Sequence, residues 1–376
     1  MNDLFNEIFN DSFDAHDLLL RSRSILNNEN YFKVRHFKAQ RFQQLSSIYS
    51  PTTSKKKNIE ILIGSNFVTE NWDAIELINI PGIKFSKLDP NFFLDSPTPS
   101  EFNERCLFLK NKFVITTNHD IVKNNPITLR NFLNYFLNCG ETVFAGWDWD
   151  NHHNSQISSI YALCSDIYLP SQRANDYEFS RVAPRYKFIA PSAYEWSTTF
   201  LDNNINHIIN SDRSSDIFGV FNFYERFPYR NQTIATINKS IPQVKFIDDY
   251  SNYLSKNIHE KLAEWISFKW HWLVPTYSAV SVRAFYSLIA GTGVILPIEY
   301  YSYEEFNDLD ERDVIWYDDT DIINPNRVME LANSKFNTDL KNGILRRHEF
   351  AKNKHNLNNR FTQIYETICS FLDNRN

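Results

Sequence analysis

The sequence predicts an α/β fold: two Rossmann-like domains facing across a cleft, with N-terminal helices ahead of them and a C-terminal helical segment behind. Three observations carry this expectation. Short apolar runs such as IEILI at 59–63, FVITT at 113–117 and VILP at 294–297 alternate with helical stretches, as parallel strands covered on both faces do. That alternation breaks off after Pro191 and starts again near Ser215, giving two series of similar size. The 376 residues exceed what one core usually supports, and a content of 42% hydrophobic and 15% aromatic residues suffices for two.

Taken in order, residues 14–26 and 33–48 read as helices, the second of them basic (Lys33, Arg35, Lys38, Arg41), and 50–57 as a polar loop. Strands are expected at 59–63, 74–80, 113–117, 142–149, 166–170 and 187–190, with helices at 128–139, closed by Gly140, and 155–164. The second series opens with a helix at 195–210 and a polar turn at 211–215. Its strands are 216–223, 244–247, 272–275, 294–297 and 314–317. Its helices are 228–240, with Pro at the start, then 259–268, 282–290 and 325–334. The domains so defined are a helical segment 1–57, a first Rossmann-like domain 58–200, a second 211–335, and C-terminal helices 336–376 packing back.

Composition narrows the function. The net charge is −6 with both signs interspersed, so a nucleic-acid partner is not expected. The four cysteines, Cys106, Cys139, Cys164 and Cys369, lack metal-type spacing and read as reduced, mostly buried thiols of a cytoplasmic protein. The N-terminus carries no signal-peptide pattern, and no apolar run approaches the roughly 20 residues that span a bilayer. Peripheral association with the inner membrane surface stays open.

In doubly wound sheets ligands bind beyond the carboxyl ends of the strands. The polar clusters at such ends are Asn118-His119-Asp120, Asp148 to His153, Tyr224-Glu225-Arg226, and Thr276 to Arg283. The block 269–300 reads as a strand, a turn with Ser278, Ser281 and Arg283, a short helix, a Gly291-Thr292-Gly293 stop and a second buried strand. Small hydroxyls and a fixed cation at a helix N-terminus suit an anion, because the first amides lack partners and the macrodipole is positive there. Asp148 and Asp150 flank Trp149; two close carboxylates drive one pKa up, toward proton transfer near neutrality. His119 with Asp120, and Glu225, are further acid/base candidates, and Asn151, His152 and His153 are candidate acceptor ligands.

Residues 216–334 resemble the nucleotide-binding half of GT-B glycosyltransferases, particularly the exostosin-like ones. The matching residues are FGVFNF, then Arg226 and Arg230 ahead of a helix, residues 244–249, and LVPTYSAVSVRAFYSLIAGTGVILP. Arg283 follows Ser281 by two, as in the Arg-bearing variant of that motif; the acidic residue of the Glu-bearing variant is absent. The first half is similar to GT-B acceptor domains in its strand–helix rhythm. The resemblance implies a nucleotide-sugar donor held by Arg226, Arg230, Ser278, Ser281 and Arg283. It implies a saccharide or lipid-linked saccharide acceptor and a catalytic group among Asp148, Asp150, His119 and Glu225, with no cofactor and no metal. A narrower likeness to bacterial β-Kdo transferases of capsule and lipopolysaccharide assembly implies CMP-Kdo as donor; the wider one implies a UDP- or GDP-sugar. Three alternatives stay open: a metal-dependent enzyme using Asp148-Trp149-Asp150 as D-x-D, a sugar-nucleotide epimerase, and a non-catalytic sugar-binding protein.

Overall fold

The computed structural model describes residues 30–49, 58–64, 75, 78–89, 91–94, 97–121, 126–149, 151, 155–173, 182–183, 185–221, 223–225, 227–241, 244–247, 250–276, 279–336 and 340–373. The chain divides into two compact units, Met1–Ala190 with Phe361–Asn376, and Pro191–Arg360. They are called unit 1 and unit 2.

Unit 1 runs α1 (Asn30–Tyr49), β1 (Ile59–Gly64), β2 (Ile83–Lys87), α2 (Pro99–Leu109), β3 (Lys112–Thr117), α3 (Asn118–Ile121), α4 (Pro126–Asn138), β4 (Val143–Asp148), α5 (Ser155–Leu163) and β5 (Ile167–Pro170). Its sheet has the order β2-β1-β3-β4-β5 and every pairing is parallel. Every residue of β4 and β5 is buried, as helices on both faces require.

The strand expected at 74–80 is corrected: 78–80 are irregular, and the strand beside β1 is β2, entered through the Pro81-Gly82 turn. Residues 187–190 form no regular strand; they run extended along β5, with Lys187 and Ile189 amides donating to Tyr168 and Pro170 carbonyls at 3.1 and 3.0 Å. The expected helix 14–26 lies outside the described residues. The basic helix 33–48 falls within α1, but two of its cations are internal. Arg41 pairs with Asp166 at 2.7 Å and donates to the Cys139 and Thr142 carbonyls, while Lys38 donates to the Ala162 and Val182 carbonyls. Burial pulls the Lys38 amine down to about 7.

Unit 2 runs α6 (Thr198–Asn210), β6 (Ser214–Val220), α7 (Pro228–Ser240), β7 (Val244–Ile247), α8 (Tyr250–Ser255), α9 (Ile258–Ile266), β8 (Phe268–Trp272), α10 (Val282–Ile289), β9 (Gly293–Pro297) and β10 (Val314–Tyr317). Then come α11 (Asp319–Ile323), α12 (Asn326–Lys335), α13 (Leu340–Lys354) and α14 (Leu357–Leu372), whose residues from Phe361 on belong to unit 1. There Phe361 meets Trp147 edge-on, with ring centroids 5.7 Å apart. The second sheet is also wholly parallel, in the order β10-β9-β8-β6-β7. Counted from each unit's first strand, both sheets follow one scheme, 2-1-3-4-5. In that scheme the winding reverses between the first and third strands: β1 and β3 in unit 1, β6 and β8 in unit 2.

Three boundaries differ from expectation. α6 starts at Thr198, not Glu195, because the Ser197 hydroxyl caps it by accepting from the Phe200 amide at 3.1 Å. β6 starts at Ser214, inside the expected turn. β8 occupies 268–272 rather than 272–275: it starts straight after α9, and Trp270 and Trp272 go to the core while Phe268 and Lys269 stay half-exposed.

α10 is the most enclosed helix of unit 2, with Ala284 through Ile289 all buried. Removing Phe285, Leu288 and Ile289 from water contributes about 1.5–3 kcal/mol each. Its stop is the expected one. Gly291 adopts φ 71°, a conformation that L side chains resist, and a Cβ there would stand 2.5 Å from the Ile344 side chain. The Gly291 carbonyl in turn accepts from Arg347 of α13 at 2.8 Å.

Candidate functional site

The reversal point of the second sheet is where a doubly wound fold opens a crevice. β6 leads into Phe221, Phe223 and Tyr224, then into α7 through Pro228, whose fixed φ suits the first helical position. Arg230 stands in the first turn of α7. A cation there works against the helix dipole, so its position has to be earned by other contacts. Its Nε donates to the Val274 carbonyl at 2.9 Å, just past the end of β8. Its guanidinium also lies over the Phe221 and Tyr224 rings, at 5.2 and 5.6 Å from their centroids. The side chain thus spans the carboxyl ends of the first and third strands. Only 5% of its surface is exposed, and burial, followed by the nearby Arg283 cation, lowers its pKa to about 10.

Arg283 lies in the first turn of α10, near enough for its charge to be felt at Arg230. The Ser281 hydroxyl caps α10 by accepting from the Arg283 amide at 3.3 Å, and Ser281's carbonyl accepts from Ala284 at 3.0 Å. Arg283 is half-exposed. Two guanidiniums near one another, beside the amino end of an eight-residue helix, concentrate positive potential in one place.

α10 is braced from beneath. The Ser287 hydroxyl lies 2.8 Å from both the Arg283 carbonyl and His271 Nδ1, and His271 Nε2 lies 3.1 Å from the Trp265 carbonyl. Burial together with Arg213 holds the His271 pKa well below the ordinary histidine value, so the ring is neutral. Behind the helix, Lys261 pairs with Glu195 at 3.0 Å, and the Tyr286 ring meets Trp196 at 5.3 Å and Trp265 at 5.7 Å.

In unit 1 the described polar side chains at the strand ends, Asn118, Asp148 and Asn151, are buried. Asp148 has no exposed surface; its Oδ2 accepts from the Tyr168 phenol at 2.6 Å and its carbonyl accepts from the Ser171 amide at 2.8 Å. Asn151 is equally enclosed and ties Gln172 at both ends, accepting from its amide at 3.0 Å and donating to its carbonyl at 2.9 Å. Asn118, at the start of α3, accepts from the Trp149 amide at 3.0 Å. Asp148 and Asn151, expected as catalytic and acceptor-binding groups, are enclosed and fasten the ends of β4 and β5 to the loops beyond them.

Of the other sequence-derived candidates, Arg230, Ser281 and Arg283 come together in unit 2. Glu225 is exposed in the turn before α7, on the same edge of the sheet. Asp150, His152, His153, Arg226 and Ser278 lie outside the described residues, and His119 and Asp120 are described only as backbone of α3. Sequence reading missed the Val274 carbonyl, the Phe221 and Tyr224 rings, and the His271–Ser287 brace. The His271–Ser287 pair is 16 positions apart in sequence, on a strand and a helix, and no motif marks it.

No family model and no curated protein matches the chain. Among solved structures it is similar to TarM, at 11% identity and TM-score 0.46 over 72% of this chain; that overlap spans 57% of TarM. It is similar to HepE of Anabaena in complex with UDP and glucose, at 10% identity and TM-score 0.47, over 83% of this chain and 100% of that one. Sucrose-phosphate synthase of Thermosynechococcus elongatus aligns at 10% identity and TM-score 0.46, over 83% of this chain and 99% of its own.

Chemically, the unit 2 site is equipped to hold a phosphate or diphosphate. Guanidinium groups match phosphate geometry with paired N–H donors, and helix amides add partial positive charge. Among the described residues no group of three or more His, Cys, Asp or Glu is placed to hold a metal ion. None of the described helices is long and apolar enough to cross a membrane.

Proposed function

We propose that the chain is a GT-B glycosyltransferase whose unit 2 holds the donor nucleotide sugar by its phosphates. The observation that carries this reading is Arg230 reaching from the first turn of α7 to the Val274 carbonyl beyond β8, with Arg283 and the start of α10 near it. Transfer from a sugar nucleotide leaves a phosphate behind, and stabilising that leaving group is what cations and helix amides aimed at developing charge accomplish. Ser278 and Arg226, adjoining in sequence, complete the proposed donor set.

Unit 1 is proposed to carry the acceptor. Asp150, His119 and Glu225 are the proposed acid/base groups, and Asp148, closed in against Tyr168, is proposed to support them. His152 and His153 are the proposed acceptor ligands. The donor is proposed to be CMP-Kdo on the narrower sequence likeness, with UDP- and GDP-sugars as its competitors. The acceptor is proposed to be a saccharide of a bacterial surface polysaccharide, met on the cytoplasmic side of the inner membrane.

A thermal-shift screen against CMP-Kdo, UDP-glucose, GDP-mannose and their free nucleotides tests the donor, because a ligand that binds the folded state raises the melting temperature. One nucleotide class should stabilise the protein, with the effect abolished in Arg283→Ala. No shift with any of them, or an equal shift in the variant, would overturn the assignment. Activity in chelator separates this reading from the D-x-D alternative: full turnover without metal is expected, and dependence on manganese or magnesium would move the donor to Asp148 and Asp150.

A further inference from the structure

Outside the nucleotide site, the fold brings together two thiols that the sequence keeps 33 positions apart. The Sγ atoms of Cys106 and Cys139 lie 3.0 Å from one another. Cys106 sits in the last turn of α2, a helix fixed at its start by a capping box: the Glu101 carboxylate accepts from the Thr98 amide at 2.8 Å, and the Thr98 hydroxyl from the Glu101 amide at 3.4 Å. Cys139 closes α4, its amide donating to the Tyr135 carbonyl at 2.8 Å and its own carbonyl accepting from Arg41 at 3.2 Å and from the Thr142 amide at 3.1 Å. Both backbones are therefore held, and the sulfur atoms meet by construction rather than by chance of a loose loop.

We propose that Cys106 and Cys139 are a modification site, a dithiol that hydrogen peroxide converts to an intramolecular disulfide. A disulfide needs its sulfurs about 2.05 Å apart, so closing it moves them together by roughly 1 Å, within the reach of small side-chain rotations. Access is asymmetric. Cys106 is partly exposed, beside Leu107 and Phe108 at the surface, while Cys139 is buried at 5%. The oxidant therefore meets Cys106 first and Cys139 resolves it. In the first step the Cys106 thiolate attacks one peroxide oxygen and the O–O bond breaks. Cys106 becomes a sulfenic acid, and the departing hydroxide takes up a proton as water. In the second, the Cys139 sulfur attacks the Cys106 sulfur; the S–S bond forms, and hydroxide leaves with the Cys139 proton as a second water. Two thiols lose two electrons in total and one peroxide is reduced to two waters.

Burial raises the pKa of both thiols, so proximity rather than an activated thiolate drives the closure, and it is slower than at a low-pKa sensor cysteine. The remaining thiols make internal controls. Cys164 has no exposed surface, and Cys369 lies against the Tyr365 side chain. A metal site on the same pair lacks support, since no third His, Cys, Asp or Glu joins it among the described residues.

The test treats the intact folded protein with hydrogen peroxide, alkylates the remaining thiols after unfolding, and maps peptides without reduction. A peptide pair joined through Cys106 and Cys139 is expected, lighter by about 2 Da than the two thiol peptides together and separated by dithiothreitol. Cys164 and Cys369 should stay alkylated. In Cys139→Ser, Cys106 should instead be captured by dimedone as the sulfenic acid. Three results would each overturn the proposal: Cys106 trapped by dimedone or overoxidised in the natural protein without a joined peptide, Cys106 joined to any other cysteine, or both thiols untouched after Met329 has been oxidised.

Discussion

The two units share one strand scheme and put opposite things at the carboxyl edge of the sheet. In unit 1 the described polar residues at the strand ends are buried and bonded within the unit: Asp148 with Tyr168, Asn151 with Gln172, Asn118 with the Trp149 amide. Buried polar groups bonded in this way hold loops in place. In unit 2 the same edge carries a nearly buried cation with its pKa lowered, a second half-exposed cation and a capped helix start. Keeping positive charge enclosed costs free energy, and a bound anion offsets that cost. Identical topology therefore says where a crevice opens; the charge and burial of the groups lining it say what it is for.

Acid should separate the units most strongly. In unit 2, burial lowers the pKa of His271, His348 and His355 below the ordinary value near 6.5. As pH falls below that value the unfolded chain takes up protons that the folded unit refuses, so stability is full above it and declines below it. Between pH 6.5 and 5 the loss should reach about 2 kcal/mol for each ring that stays neutral. Hydrogen exchange across that range should show unit 2 opening first; equal opening of unit 1 would remove the contrast.

Substitutions at the two edges should differ in kind. Arg283→Ala should weaken nucleotide binding by about 1.5–3 kcal/mol, measured by calorimetry, with the melting temperature nearly unchanged. Tyr168→Phe should do the reverse. It takes the phenol from an enclosed carboxyl, lowering unit 1 stability by about 1–3 kcal/mol while nucleotide affinity holds. A Tyr168→Phe protein with normal stability and lost affinity would place the ligand in unit 1. The smallest effect belongs to Ser281→Ala, which removes the α10 cap at a cost of about 1 kcal/mol and loosens the amides of the proposed phosphate site.

Much of this architecture was legible because buried parallel strands announce themselves as unbroken apolar runs: β1, β3, β4, β9 and β10 fall within a residue or two of expectation. β2 escaped because IKFSK is a half-exposed edge strand with no apolar run. β8 was displaced because Lys269 and His271 interrupt its tryptophans, and α2 was overlooked although Thr98 and Glu101 spelled its cap. In the site, Arg230, Ser281 and Arg283 could be read because charge at a helix start is visible in sequence. The enclosure of Asp148 and Asn151 could not, since it depends on Tyr168 and Gln172, 20 and 21 positions further on. The pairing of Cys106 with Cys139 was invisible for the same reason.

A crystal structure with the nucleotide selected by thermal shift is the most direct test of the central claim. The account predicts phosphate oxygens within hydrogen-bond reach of the Arg283 guanidinium and the first amides of α10, past the ends of β6 and β8. A nucleotide whose phosphates contact the ends of β3 or β4 in unit 1, leaving Arg283 and α10 untouched, would contradict it.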